Sequence, residues 1–496
     1  MKQLQGVVSS SEVIVKLTNF LPKSFFRDRH LRMRSIQHYI VYITILMMSL
    51  LSGNAHAVPA FARQTGQNCL ACHAGGQFPE LTPYGRLFKL TGYTIGKRTI
   101  PLAVMGVFGS TNVKGPTPTG PGHTGTDGSL TFDTGSLFVA GKITDKSGVL
   151  AQFTYNNYSG GMGSGMMMGA SGGASGHVGS DMMDFRYADR IINNYQDLIY
   201  GFTANNDPGV EDVWNSTPTW GYGVVPISTG TARAINPLIN GALAQQVVGT
   251  GAYLYWNQTV YAEISGYRTG DGVFSFMTQG NGQQIALKGE NPYLRLALTH
   301  EWGAQNVMVG YSYFDVEQYS DPTNLSSATD HYRDNTVDFQ YQYLLDPHTF
   351  TAEVTRINET VDYGTAGSLP DTVNALRAKA SYTYEAEYGA SLSYFNVSNS
   401  SNNASLIHSG VINQSTQMLS QAGVEGWTPE IYWLPVQNVR VGVQYTMFNR
   451  VDGVTTGAAD SFNGKASGDN RSCFMSGARI KRDSLGTLLS GGTYAT

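Results

Sequence analysis

The sequence predicts a mainly β protein: a transmembrane antiparallel β-barrel of porin size, about 16 strands, preceded by a short cysteine-bearing segment. Three observations predict it. Charged residues make up only 14% of the 496, while Gly is abundant at 58 and Tyr reaches 29. No stretch after residue 57 is long and apolar enough for a membrane helix. Segments of roughly ten residues alternate apolar and polar with period two, as strands facing lipid on one side and a polar lumen on the other must.

The chain opens with an export signal over residues 1–57. Arg32 and Arg34 precede an apolar run from Tyr39 to Leu51, and Ala55-His56-Ala57 reads as a cleavage site. Met33 would start a signal of ordinary length. Residues 1–57 carry seven Lys and Arg against Glu12 and Asp28, so removing their net +5 from the whole chain's −4 leaves the mature chain at −9. That balance argues against a nucleic-acid partner.

Residues 58–97 form the second element. They hold Cys69-Leu70-Ala71-Cys72-His73, the c-type haem attachment pattern. Two thiols form thioethers to the porphyrin, and the adjacent imidazole becomes an axial ligand of the iron. A zinc site or a redox disulfide also uses two cysteines at this spacing. Structural zinc needs a second pair, and the only other cysteine is the distant Cys473. The reading is one covalently bound haem c, with Cys69 and Cys72 binding the cofactor and His73 on the iron. The segment is too short to bury a core alone; a barrel lumen would supply one.

The barrel occupies residues 98–496. In Asn335 to Leu344, Val337, Phe339, Tyr341 and Tyr343 alternate with Asp338, Gln340 and Gln342. Short links fall near 144–148, 256–258, 302–305, 346–348, 386–389 and 435–438. Longer polar links fall near 113–128, 158–182, 205–241, 269–289, 317–332, 361–370, 399–424 and 451–470. This is the expected asymmetry of periplasmic turns and extracellular loops. About fifteen strands precede the tail, and an even total calls for one more. Residues Ser472 to Ser490 alternate poorly and the chain ends Tyr494-Ala495-Thr496 without a closing aromatic, so the last strand and the tail itself are in doubt.

The residues resemble the fused outer-membrane monohaem cytochrome–porin family, the iron oxidase of iron-oxidising bacteria. The resemblance lies in Pro59 to Gly66, Cys69, Cys72-His73, Pro79, Leu81, Pro83-Tyr84-Gly85-Arg86 and Phe88 to Thr94. A looser match runs over Asn205 to Pro208 and Asp212 to Gly221. It implies an Fe(II)-oxidising oxidoreductase working by one-electron transfer. Electrons from extracellular Fe(II) would pass through the barrel to a periplasmic cytochrome c. It also implies an outer-membrane location, with the haem segment periplasmic or within the lumen. Alternatives from other classes are a solute porin with a structural or sensing haem, and a conduit reducing external acceptors. Direction depends on the haem potential, which sequence does not set.

The sixth haem ligand is open, because Ala74 to Lys97 holds neither Met nor His. The Gly-rich stretch 160–183 offers Met162, Met166, Met167, Met168, Met182, Met183 and His177, and an early outer loop offers His123. A haem cap, a soft-metal site and a plain surface loop all fit this composition. Asp207, Glu211 and Asp212, read as lying in a long outer loop beside Trp214, are carboxylates that could meet iron or shape the loop. No paired-carboxylate or triad constellation points to hydrolysis.

Overall fold

The computed structural model describes residues 59–76, 80–113, 131–156, 177–217, 237–278, 285–366, 368–400, 423–436, 438–451, 454–455, 459–460, 464–465 and 471–480. Among the described residues there are four short α-helices: α1 (Ala60–Thr65), α2 (Cys69–Cys72), α3 (Pro83–Leu90) and α4 (Pro208–Glu211). Sixteen long strands follow the first three helices. They are β1 (Leu102–Val113), β2 (Thr131–Lys142), β3 (Ser147–Asn156), β4 (His177–Ile192), β5 (Asp197–Asn205), β6 (Val247–Trp256), β7 (Val260–Thr269) and β8 (Asn291–Trp302). The second half is β9 (Gln305–Tyr319), β10 (Thr329–Leu345), β11 (His348–Asp362), β12 (Asp371–Tyr384), β13 (Tyr388–Asn399), β14 (Gly423–Val436), β15 (Val439–Val451) and β16 (Arg471–Ile480).

Every strand from β1 to β15 pairs antiparallel with the next in sequence. Arg471–Ile480, doubtful on its alternation, is a strand. It pairs with β15 from Val439↔Ala478 to Thr446↔Arg471 and with β1 from Val104↔Ile480 to Val113↔Arg471. A backbone ladder on both sides holds it, which requires no side-chain alternation. The pairings therefore return to β1, the arrangement that leaves no unpaired strand edge in lipid. The rest of the tail, 481–496, lies outside the described residues, as do residues 1–58.

Short and long links alternate along the whole chain, as expected. A seventh short turn at 193–196 joins the six read from the sequence. It is an Asx turn, in which the Asn193 side chain accepts from the Tyr195 and Gln196 amides at 2.9 and 3.0 Å.

Burial is inverted relative to a soluble sheet. On β8 the inward Asn291, Tyr293, Arg295, Ala297 and Thr299 are buried, while Leu294, Leu296 and Leu298 face out, Leu298 at 60% exposure. On β10, Asp338, Gln340 and Gln342 are buried and Val337 and Phe339 are exposed. An apolar outside and a polar inside is the pattern lipid selects. Trp256, Trp302, Tyr384, Tyr388 and Trp433 are exposed beside the short turns, where an aromatic girdle sits.

The N-terminal segment packs inside the mouth on the short-turn side. Phe61 stacks on Tyr93 with ring centroids 5.2 Å apart and meets Phe88 edge-on at 4.8 Å. This trio continues into Ala103, Met105, Val107, Phe138, Ala140 and Leu150 of β1–β3. The lumen wall thus completes a core that forty residues cannot build alone. Gln64 ties the segment's two ends together, its amide donating to the Tyr93 and Ile95 carbonyls. The passage to β1 is short and pinned: Lys97 N donates to the Gln64 carbonyl, and Arg63 donates to the carbonyls of Ile100 and Leu102.

The link after β5 folds into the lumen from the opposite side. Its Val213 and Trp214 pack with Leu87 and Leu90 of α3 against Ile199, Tyr253, Tyr255, Tyr261, Ala297 and Met308. The two insertions meet, and the Lys89 ammonium donates to the carbonyls of Val210 and Asp212 at 2.5 and 3.2 Å.

Candidate haem-attachment site

Local chemistry folds the cysteine turn. Asn68 caps α2, its side-chain oxygen accepting from the Ala71 amide at 3.1 Å. The His73 amide closes the turn onto the Cys69 carbonyl at 2.8 Å. Cys69 and Cys72, three residues apart in one helical turn, therefore share a face. His73 follows in extended backbone, is buried at 4% exposure, and bridges Leu81.

Thr82 locks α3 onto this turn. Its hydroxyl donates to the Ala71 carbonyl at 2.5 Å and accepts from the Gly85 amide at 3.1 Å, capping α3, while its own amide donates to the Cys72 carbonyl. Pro83 takes the first helical position, where no amide is missed. A Cβ at Gly85 would run into the Cys72 carbonyl oxygen, so glycine is what lets α3 cross the cysteine turn. That is the physical content of the Pro-Tyr-Gly-Arg stretch read from the sequence.

The donor set fits a covalently attached haem. Both thiols are free of a disulfide and half-buried on one face, and the imidazole follows immediately. Burial and the neighbouring Cys69 push the Cys72 thiol up to about 11. Among the described residues no group of three or more His, Cys, Asp or Glu is arranged to hold a metal ion.

Three side chains fasten the turn and its helix to the barrel. Arg86 is buried and donates to Asn306 at 2.6 Å, Gln340 at 3.1 Å and Gln342 at 3.2 Å, and to the Leu81 carbonyl at 2.7 Å. Burial lowers its guanidinium to about 10. Tyr93 donates to Asp184 on β4 at 2.5 Å. Glu80 forms an ion pair with Lys379 on β12. Gly75 packs directly against the Thr383 side chain at the short-turn end of β12.

The other candidates are placed elsewhere. Met182 and Met183 lie within β4, toward its long-link end. Met183 is buried among Val149, Ala151, Val248 and Met277 rather than beside His73. His177 is the first residue of β4, opposite Asn156. His123, Met162, Met166, Met167 and Met168 lie outside the described residues.

Asp207, Glu211 and Asp212 are not on an outer surface: the loop carries them inward, where all three are buried. Asp207 caps α4 through the Gly209 amide at 2.9 Å. Glu211 accepts from Ser265 at 2.6 Å and Tyr267 at 2.5 Å. Asp212 pairs with Arg295 at 3.1 Å and accepts from the Trp214 and Ser216 amides. Arg295 also holds Asp338 at 2.9 Å and lies 5.4 Å from the Trp214 ring centre. These carboxylates shape the loop. Val210, Val213, Leu238, Ile239 and Leu243, apolar residues inside a long link, were the signal that it packs inward.

No protein-family model and no curated protein matches the chain. Solved outer-membrane proteins are similar in architecture. A loop-deletion mutant of OmpT from Vibrio cholerae shares 9% identity at a TM-score of 0.39, over 77% of this chain and 99% of that one. The channel DcaP of Acinetobacter baumannii shares 12% at 0.43, over 76% and 96%. An anion-selective porin from Comamonas acidovorans shares 11% at 0.39, over 76% and 98%. This chain's own strand pairing and inverted burial make it a porin-like barrel.

Proposed function

We propose that the chain is an outer-membrane electron conduit. In this reading a porin-like barrel holds one haem c, covalently attached to its N-terminal segment. Electrons pass from extracellular Fe(II) to a periplasmic cytochrome c or an equivalent carrier. The observation that carries the reading is the seating of the Cys69–His73 turn in the barrel mouth, fastened by Arg86, Tyr93 and Glu80. When bound, haem supplies a one-electron redox centre. The chain's residues do the rest. Cys69 and Cys72 would attach the cofactor, and His73 would hold an axial position. The packed cluster of Leu87, Leu90, Val213 and Trp214 excludes water between the two insertions. In such a conduit electrons cross while insoluble ferric products stay outside.

The test is spectroscopic. Purified outer membranes bearing the protein give a pyridine haemochrome, and Fe(II) added at working pH reduces the haem. A protein with haem that Fe(II) does not reduce sinks the iron-oxidising reading.

A second reading, a solute channel with a structural or sensing haem, is favoured by the barrel and by the link after β5, which folds inward as a constriction would. Pore conductance in liposomes, with no reduction by Fe(II), selects it. A conduit running outward to external acceptors would use the same parts, and the haem midpoint potential decides between the directions.

A further inference from the structure

Beside the cysteine turn the lumen wall forms a small cleft lined by Ala74, Glu80, Thr349, Thr351, Lys379, Ser381 and Thr383. Ala74 directly follows His73, and its amide is held by the Glu80 carbonyl at 2.9 Å. The wall is polar for a simple reason. Odd-numbered residues of β12 face inward, since Val373, Ala375 and Thr383 are buried while Asn374, Tyr382 and Tyr384 are exposed. That parity brings Arg377, Lys379 and Ser381 to the lumen in one row. Across the ladder Arg377 stands opposite Thr355 on β11, Lys379 opposite Glu353 and Ser381 opposite Thr351. On the other side Arg377 faces Phe395 and Lys379 faces Ser393 of β13.

The charges in this row are unequally committed. Lys379 is paired with Glu80 and stands opposite Glu353, which also accepts from Gln340 at 2.8 Å. Arg377 is half-buried and has no hydrogen bond or ion pair among the described residues. A guanidinium in such a setting lacks the counter-charge that ordinarily offsets its desolvation. Its planar fork matches a carboxylate. A haem fixed by thioethers at one edge carries two propionate carboxylates at the other.

We propose that Arg377, the next inward position beyond Lys379 of the cleft and opposite Thr355, binds a propionate carboxylate of the haem held at Cys69, Cys72 and His73. The inference rests on the haem reading above. It adds a specific task for β12: fixing the rotation of the macrocycle in the mouth and setting the charge felt by the iron.

The test compares wild type, R377Q and R377K, purified with their covalent haem and checked for heat-modifiable gel mobility as a sign of an intact barrel. Resonance Raman reads the propionate bending band and spectroelectrochemistry the midpoint potential. The expected result is a displaced band and a lowered potential in R377Q, with R377K returning both toward wild type. A folded, haem-loaded R377Q that matches wild type in both measurements overturns the proposal. If it matches but has lost a conductance response to added inorganic phosphate that the wild type shows, Arg377 takes a free oxyanion and the propionate assignment falls. Absence of a haemochrome from the wild type overturns the haem reading itself, a result distinct from either.

Discussion

Arg86 donates from Nη2 to Asn306 Oδ1 across 2.6 Å, joining the cysteine-bearing segment to a strand 220 positions later in the chain. The same guanidinium reaches Gln340 and Gln342 on the next strand. One cation thus donates to the oxygens of three inward amides beside Trp214, whose ring centre lies 6.0 Å away.

Replacing Arg86 by Met keeps the volume and removes the donors. Each buried amide left unsatisfied costs about 1–3 kcal/mol. The barrel strands do not depend on this contact, so the loss falls on the seating of the segment. The expected outcome is selective proteolysis of residues 59–97 in folded protein whose barrel resists the protease. Equal resistance of both parts in wild type and variant would refute this role for Arg86.

Gly85→Ala is a more local insult. The added methyl meets the Cys72 carbonyl, a backbone atom that cannot move without opening the α2 turn. Overpacking of this kind costs about 1–3 kcal/mol. The expected outcome is a fall in covalent haem per barrel, read as haemochrome absorbance against barrel protein. Full haem occupancy in the variant would show that the crossing of α3 over the cysteine turn is not needed for attachment.

Leu296 faces outward from β8 at 57% exposure, one residue from the buried Arg295. An arginine introduced at a mid-strand, lipid-facing position costs about 2–4 kcal/mol. L296R should lower the urea midpoint of folding into bilayers, whereas L325R, at an exposed position in the link between β9 and β10, should leave it unchanged. Equal midpoints for the two variants would contradict a lipid-facing belt.

Asp207 gives the pH dependence. Burial raises its carboxyl from 3.8 to about 7, partly opposed by the Gly209 amide. Between those values the folded protein keeps the proton that the unfolded chain has lost. Packing of the inward loop is therefore strongest below pH 4, weakens as pH rises, and levels off above about 7. The effect is at most about 4 kcal/mol. Amide exchange of Val210–Val213 should quicken between pH 4 and 8 after correction for intrinsic rates. Asp207→Asn, which keeps the cap acceptor, should abolish that excess.

Much of this architecture is legible in the residues. The alternation Val337-Asp338-Phe339-Gln340 reports which side chain meets lipid because a barrel strand has only two faces. The cysteine turn is legible because Cys-x-x-Cys-His is a compact local pattern in the residues. Other features depend on contacts that no local pattern encodes. Asn193 makes its turn through its own side chain, without the Gly or Pro that marks most links. Arg471–Ile480 is held by its two neighbours rather than by its own periodicity. The carboxylates of Asp207, Glu211 and Asp212 look solvated in a polar link. They are buried because partners such as Ser265, Tyr267 and Arg295 reach them from β7 and β8. Arg86 likewise gives no hint in its own segment that its acceptors are Asn306, Gln340 and Gln342.

The passage from Lys97 to Pro101 is five residues, which spans at most roughly 17 Å when fully drawn out, and Gln64 and Arg63 hold it short of that. The cysteine turn is therefore a fixed terminal and not a swinging arm. It cannot leave the mouth, so in the proposed conduit any redox partner must travel to the barrel, and the rate of that encounter belongs to the visitor's diffusion.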